Sequence, residues 1–131
     1  MTPATTTLNL EKLTESLGLA ITHHNNGPKG WYSHHTRTIS LRSNLTEREY
    51  RSTLAHELGH AVRGDTHTGT IFDQRAERAA DQFAAQLLID HDSYARAEAI
   101  HGTALDAIGY ELGVTTHLLA VWRDMYERQK Q

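Results

Sequence analysis

His56 and His60 stand four residues apart in Thr53-Leu54-Ala55-His56-Glu57-Leu58-Gly59-His60-Ala61, with a carboxylate beside the first. A helix turns about 100° per residue, so the two imidazoles fall about 40° apart on one face and can grip a single metal ion. Glu57 would flank that ion, placed to act as a general base on water. Zinc is the natural ion, one per chain. Neutral imidazole is among its usual ligands, and a three-ligand site leaves a fourth position where the pKa of water falls to about 7.

This chemistry needs a helix under the motif and a third ligand. Thr46-Glu47-Arg48-Glu49 has the spacing of a capping box, with Leu45 as a staple onto Tyr50, so a helix should run from Glu47 to Val62 and stop before Gly64. Tyr50, Leu54, Leu58 and Ala61 form its apolar face, while Thr53, His56, Glu57 and His60 turn to another side. After a polar loop from Arg63 to Thr70, Asp73 can cap a second strong helix from Gln74 to Ile89. Glu77 and Asp81 lie one turn apart on that helix and share the side of Ala80, Ala84 and Leu88. Carboxylates set among apolar side chains are costly unless a cation or a hydrogen-bond donor meets them. Glu77 is therefore the expected third zinc ligand, and Asp81 the acceptor for the free ring N–H of a ligating His.

Spacing weakens the competing third ligands. Gly64 and His67 follow His60 by four and seven residues, each one more than the H-E-x-x-H-x-x-G-x-x-H pattern requires, and the only downstream Met is Met125. Asp65 and Asp73 stand further back as alternatives. The pairs His23-His24 and His34-His35 are left out of the site, because adjacent residues on a strand face opposite ways and chelate poorly.

The remaining chain supplies the frame. A threonine-rich start, residues 1–7, is expected to be loose. A helix over residues 8–18 follows, capped by Asn9, stapled by Leu8 onto Leu13, buried along Leu10, Leu13 and Leu17, and ended by Gly18. Residues 19–42 carry three β-prone runs, Leu19-Ala20-Ile21, Gly30-Trp31-Tyr32-Ser33 and Thr38-Ile39-Ser40-Leu41, which read as a small antiparallel sheet. Beyond a polar break at Asp90-His91-Asp92, helices from Ser93 to His101, Ala104 to Leu112 and Thr116 to Arg128 fill residues 93–128. The expected class is α+β, a mainly helical zincin-like domain with a small sheet before the motif helix.

Composition narrows the function classes. With 131 residues, 38% apolar and 22% charged, the chain is expected to be one globular domain. A formal charge of -3 gives no bulk attraction to nucleic acid or to an anionic membrane. The absence of Cys excludes disulfides and a thiolate zinc site, leaving His and carboxylates as ligands. No long apolar run and no basic leader are seen, so a soluble, cytoplasmic protein without a membrane partner is expected.

Two stretches, Thr53-Leu54-Ala55-His56-Glu57-Leu58-Gly59-His60 and Glu77-Arg78-Ala79-Ala80-Asp81-Gln82-Phe83-Ala84-Ala85-Gln86-Leu87-Leu88, resemble the ImmA/IrrE metallopeptidases. The likeness extends upstream through Gly30-Trp31-Tyr32, Ile39-Ser40-Leu41 and Leu45, and downstream to Leu112-Gly113-Val114, covering roughly residues 8–125. It implies that His56, His60 and Glu77 bind zinc, that Glu57 is the base and that Asp81 supports His56. It also implies a protein substrate, in that family a helix-turn-helix repressor of a phage or mobile element. One departure is visible: Leu87-Leu88-Ile89-Asp90 replaces a Leu-Leu-Met-Pro run, a change expected to alter the loop rather than the metal site.

The leading expectation is thus a zinc endopeptidase, with Tyr32, Tyr94, His101 and Tyr110 as candidate donors to a developing oxyanion. Two other classes are weighed. Ile108-Gly109, Leu112-Gly113-Val114, Leu119 and Trp122 have the spacing of a DNA-binding helix-turn-helix, but Thr115–Val121 contains no Lys or Arg, so this segment reads as helix packing. A zinc-binding module that regulates a repressor or antitoxin without cleaving it would carry the same ligands.

Overall fold

The chain is described by a computed structural model over residues 6–66 and 73–129. Thr46 closes the anticipated capping box. Its hydroxyl accepts from the Glu49 N–H, and the Glu49 carboxylate accepts from the Thr46 N–H. The helix this starts, α2, runs from Glu47 to Arg63 and ends at Gly64, whose left-handed φ of 75° suits a residue without a Cβ. Leu54 and Leu58 face the core as expected, yet Glu57 and His60 are buried as well. The polar side of α2 is covered because a second helix, α3 (Gln74–Leu88), packs against it.

Alanines bring these helices close. A Cβ at Gly59 would stand 3.0 Å from the Ala80 Cα and 3.1 Å from the Ala80 carbonyl oxygen, so the two backbones meet where one residue has no side chain and the other almost none. Ala76, Ala80, Ala84 and Ala85 are all buried along α3. Asp73 caps that helix as predicted, accepting from the Arg75 and Ala76 N–H groups.

The sheet departs from expectation. Strands β1 (Ala20–His24), β2 (Gly30–Ser33) and β3 (Thr38–Arg42) are ordered β1-β3-β2, with β2 antiparallel to β3 but β1 parallel to it. The sheet is therefore mixed. After β1 the chain crosses the end of β3 before starting β2, and Arg42 holds that crossing: its backbone N–H donates to the Lys29 carbonyl and its guanidinium to the Gly27 carbonyl. The central place falls to β3 because Ile39, Ser40 and Leu41 are all buried, whereas β1 is largely exposed.

The first helix, α1, spans Thr7–Ser16 rather than residues 8–18. Thr6 caps it instead of Asn9, its hydroxyl accepting the Asn9 N–H, so Thr6 and Thr7 are not part of a loose start; residues 1–5 lie outside the described residues. Leu8 is 58% exposed and does not staple, and Leu17 is exposed; Thr14 completes the buried face by donating its hydroxyl to the Leu10 carbonyl.

Three further helices, α4 (His91–His101), α5 (Leu105–Leu112) and α6 (Thr116–Gln129), complete the fold among the described residues. Asp90 caps α4, accepting from the Ser93 N–H, so the departure from the Leu-Leu-Met-Pro run starts a helix at once. Leu118, Leu119 and Trp122 of α6 are buried, and this helix packs on α3. Two bonds tie the α5–α6 turn to α2: Arg51 Nε donates to the Gly113 carbonyl, and the Thr115 N–H donates to Ser52 Oγ. Among the described residues, no helix is long and apolar enough to cross a membrane.

Candidate metal centre

The helical spacing on α2 and the close approach of α3 bring three side chains together. His56 Nε2 lies 3.1 Å from Glu77 Oε1, His60 Nε2 lies 2.9 Å from Glu77 Oε2, and the two Nε2 atoms are 3.2 Å apart. One ligand atom from each of His56, His60 and Glu77 falls within 4.8 Å of the others, a cluster that can hold a metal ion. Glu77 was expected among apolar side chains; its side chain is 36% exposed.

The other ring nitrogens decide what the cluster wants. His56 Nδ1 is 2.8 Å from Asp81 Oδ1, and His60 Nδ1 is 2.9 Å from Asp65 Oδ2. A carboxylate only accepts, so each Nδ1 carries a proton, and a ring that is otherwise unprotonated presents a lone pair at Nε2. With both Nε2 atoms unprotonated, two imidazole lone pairs and a carboxylate face one another with no donor among them. That arrangement repels itself unless positive charge sits inside, and two nitrogens with one oxygen donor suit zinc. The residues fit the ion that the motif implies.

Electrostatics agree. Burial pulls the His56 imidazole down, but the Asp81 hydrogen bond and the charges of Glu57, Asp81 and Glu77 outweigh it and hold its pKa at about 9. The ring of carboxylates calls for positive charge, as a proton or as a metal ion. Glu57 is only 5% exposed, and its Oε1 is buried without a hydrogen-bond partner. Burial, with a lesser push from Glu77 and against the pull of His56, raises this carboxyl to about 7.

Of the residues sequence reasoning brought together, His56, His60, Glu77 and Asp81 are in contact here, and the Glu57 charge acts on His56 and Glu77. Sequence reasoning missed the work of two residues. Asp65 was weighed only as a distant ligand, yet it accepts from His60 Nδ1 and, at 3.2 Å, from Arg63 Nε. Its place just after the left-handed Gly64 was the available signal, since that turn folds the chain back toward His60. His117 gave no signal at all: it comes from α6 and meets Asp81 Oδ2 at 2.8 Å. Asp73 caps α3, and His67 lies outside the described residues.

Two of the histidines set aside, His24 and His34, are engaged elsewhere. His24 stacks on Trp31 with ring centroids 3.9 Å apart, and its two nitrogens meet Ser40 Oγ and the Pro28 carbonyl. His34 Nδ1 meets the Tyr32 hydroxyl, which also accepts from Arg37. Of the other oxyanion candidates, Tyr94 binds Glu98, His101 binds Glu111, and Tyr110 lies 76% exposed beneath Arg48.

No curated protein matches the chain in sequence. The family model described as the IrrE N-terminal-like domain, peptidase family M78, matches residues 14–121, spanning the sheet, both site helices and the α5–α6 turn. With most of its length matched and a His-His-Glu cluster at the meeting of α2 and α3, the chain belongs to the ImmA/IrrE-type metallopeptidases.

Proposed function

We propose that the protein is a zinc-dependent endopeptidase in which His56, His60 and Glu77 hold one zinc ion and Glu57 is the general base. One observation carries this reading: ligand atoms of His56, His60 and Glu77 converge within 4.8 Å of one another, and the same helix carries Glu57, a buried carboxylate with one oxygen unpartnered. Zinc bound there would polarise the scissile carbonyl and lower the pKa of water to about 7. Glu57 takes the proton from the attacking water and hands it to the leaving amine nitrogen, a role that suits a carboxyl whose burial lifts it to about 7. Asp81 and Asp65 hold the ligand rings in the tautomer that aims Nε2 at the ion.

The substrate we propose is a regulatory protein such as the helix-turn-helix repressor of a phage or mobile element, and its support is the family resemblance. The proposed setting is cytoplasmic. The burial of Leu118, Leu119 and Trp122 favours a packing role for α6 over DNA binding.

Zinc-loaded wild type and Glu57→Gln, incubated with candidate repressors and with unfolded protein, test this reading through the new amino termini they generate. Wild type should cleave, and Glu57→Gln should keep its zinc but cleave about 10²–10⁴-fold more slowly. A Glu57→Gln protein that cleaves at the wild-type rate would remove Glu57 from the mechanism. Bound but intact repressor, under conditions where wild type is fully loaded, would replace the peptidase with a binding module.

A further inference from the structure

We infer that His117 is a positioning residue for the metal centre: from α6 it fixes the Asp81 carboxylate, and through it the imidazole of His56. This rests on the reading of His56, His60 and Glu77 as metal ligands. Asp81 stands on α3 with its two oxygens divided between two other helices, Oδ1 at 2.8 Å from His56 Nδ1 on α2 and Oδ2 at 2.8 Å from His117 Nε2 on α6. The terminal torsion of an Asp side chain is broad, so a carboxylate held at one oxygen swivels about its Cβ–Cγ bond. Held at both oxygens by donors from different helices, it is locked, and the His56 ring that donates to it is locked with it.

The donor itself sits on a fixed backbone. Leu118 and Leu119, the next two residues, are 2% and 0% exposed, and the Thr115 N–H is anchored to Ser52 Oγ at 3.0 Å. The His117 side chain, by contrast, is 68% exposed, so burial does not explain its placement. Among the described residues its only hydrogen bond is to Asp81. Exposed ion pairs contribute little because water screens both partners. Here the acceptor is only 19% exposed, which is why one exposed histidine can govern its orientation.

The consequence is a mechanical link. The α5–α6 turn is bonded to α2 through Arg51 and Ser52, and α6 reaches a metal ligand through His117 and Asp81. Displacing the start of α6 would therefore loosen His56.

The test is zinc affinity, read by competition with a chromophoric chelator, in metal-stripped wild type, His117→Ala and His117→Gln, with melting curves of the metal-free proteins alongside. His117→Ala should weaken zinc binding by about three- to tenfold, less than the about 10–100-fold of losing a direct outer partner, because His117 acts through Asp81. His117→Gln, whose amide can donate to the same oxygen, should restore most of it, and the metal-free melting temperatures should stay together. In an Asp81→Asn background the His117→Ala effect should vanish. Equal affinities in wild type and His117→Ala, or a loss that persists in Asp81→Asn, would overturn the positioning role and leave the metal centre standing. A folded wild type that takes up no zinc would overturn the metal centre itself, and this inference with it.

Discussion

Two glutamates of α2, about two turns apart, live in opposite circumstances. Glu49 accepts from the Thr46 N–H and hydroxyl and pairs with Lys29 at 3.2 Å, and the Thr46 backbone contact above all holds its pKa down at about 2. Glu57 is buried with an unpartnered oxygen and sits at about 7. The same residue type on the same helix thus marks structure where it is satisfied and chemistry where it is not. The histidines repeat the lesson. His24 has a neutral partner at each nitrogen, whereas His56 and His60 aim a nitrogen at each other.

The contrast breaks most visibly at the ligands. Glu77→Ala should weaken zinc binding by more than the about 10–100-fold that losing an outer partner costs, and Asp65→Asn should fall within that range; chelator competition reads both. His24→Ala should leave zinc affinity unchanged. Full-affinity zinc in Glu77→Ala would move the third ligand elsewhere.

Stability supplies the next test. Replacing an unsatisfied buried carboxylate by an apolar group of similar size removes a desolvation penalty, so metal-free Glu57→Leu should be more stable than wild type by about 1–3 kcal/mol at neutral pH, in urea denaturation. His24→Ala should be less stable by about 1–2 kcal/mol, since it loses a stacked ring and leaves Ser40 without its partner. A destabilised Glu57→Leu would mean that Glu57 has a structural partner after all.

The smallest effect is a pH dependence. Glu49 has its folded pKa depressed from 4.5 to about 2, so its stabilisation is fully present above 4.5 and is lost as pH falls toward 2. Glu49→Gln should therefore be less stable than wild type at neutral pH, and the gap should close across that window. A gap that stays constant down to pH 2 would assign the Glu49 contribution to packing rather than charge.

What the sequence made legible was whatever local periodicity controls. The i, i+4 histidines, the capping box and the carboxylates on an alanine-rich helix all follow from helical geometry, and they located α2, α3 and the cluster of His56, His60, Glu77 and Asp81. Partners that arrive through tertiary contact were illegible. His117 lies 36 residues beyond Asp81, and nothing within α6 marks it. The strand runs of residues 19–42 show which segments are extended but not which lies in the middle; that was decided by the burial of β3 and by a crossing held by Arg42. At the first helix, Thr6 and Asn9 are both good caps, and Thr6 adds a further turn to α1.

The missing side chain of Gly59 acts as a gauge block between α2 and α3. One added carbon would meet the backbone of Ala80 at 3.0 Å, so backbone contact sets how near the histidine helix and the Glu77 helix can come. Metal–ligand distances tolerate deviations of about 0.2 Å. If the cluster holds a metal, a cage of preset span would sort ions by radius, and the choice of metal would be a property of helix packing as much as of donor chemistry. A Gly59→Ala change, which touches no donor atom, would re-size the cage and shift its preference toward larger ions.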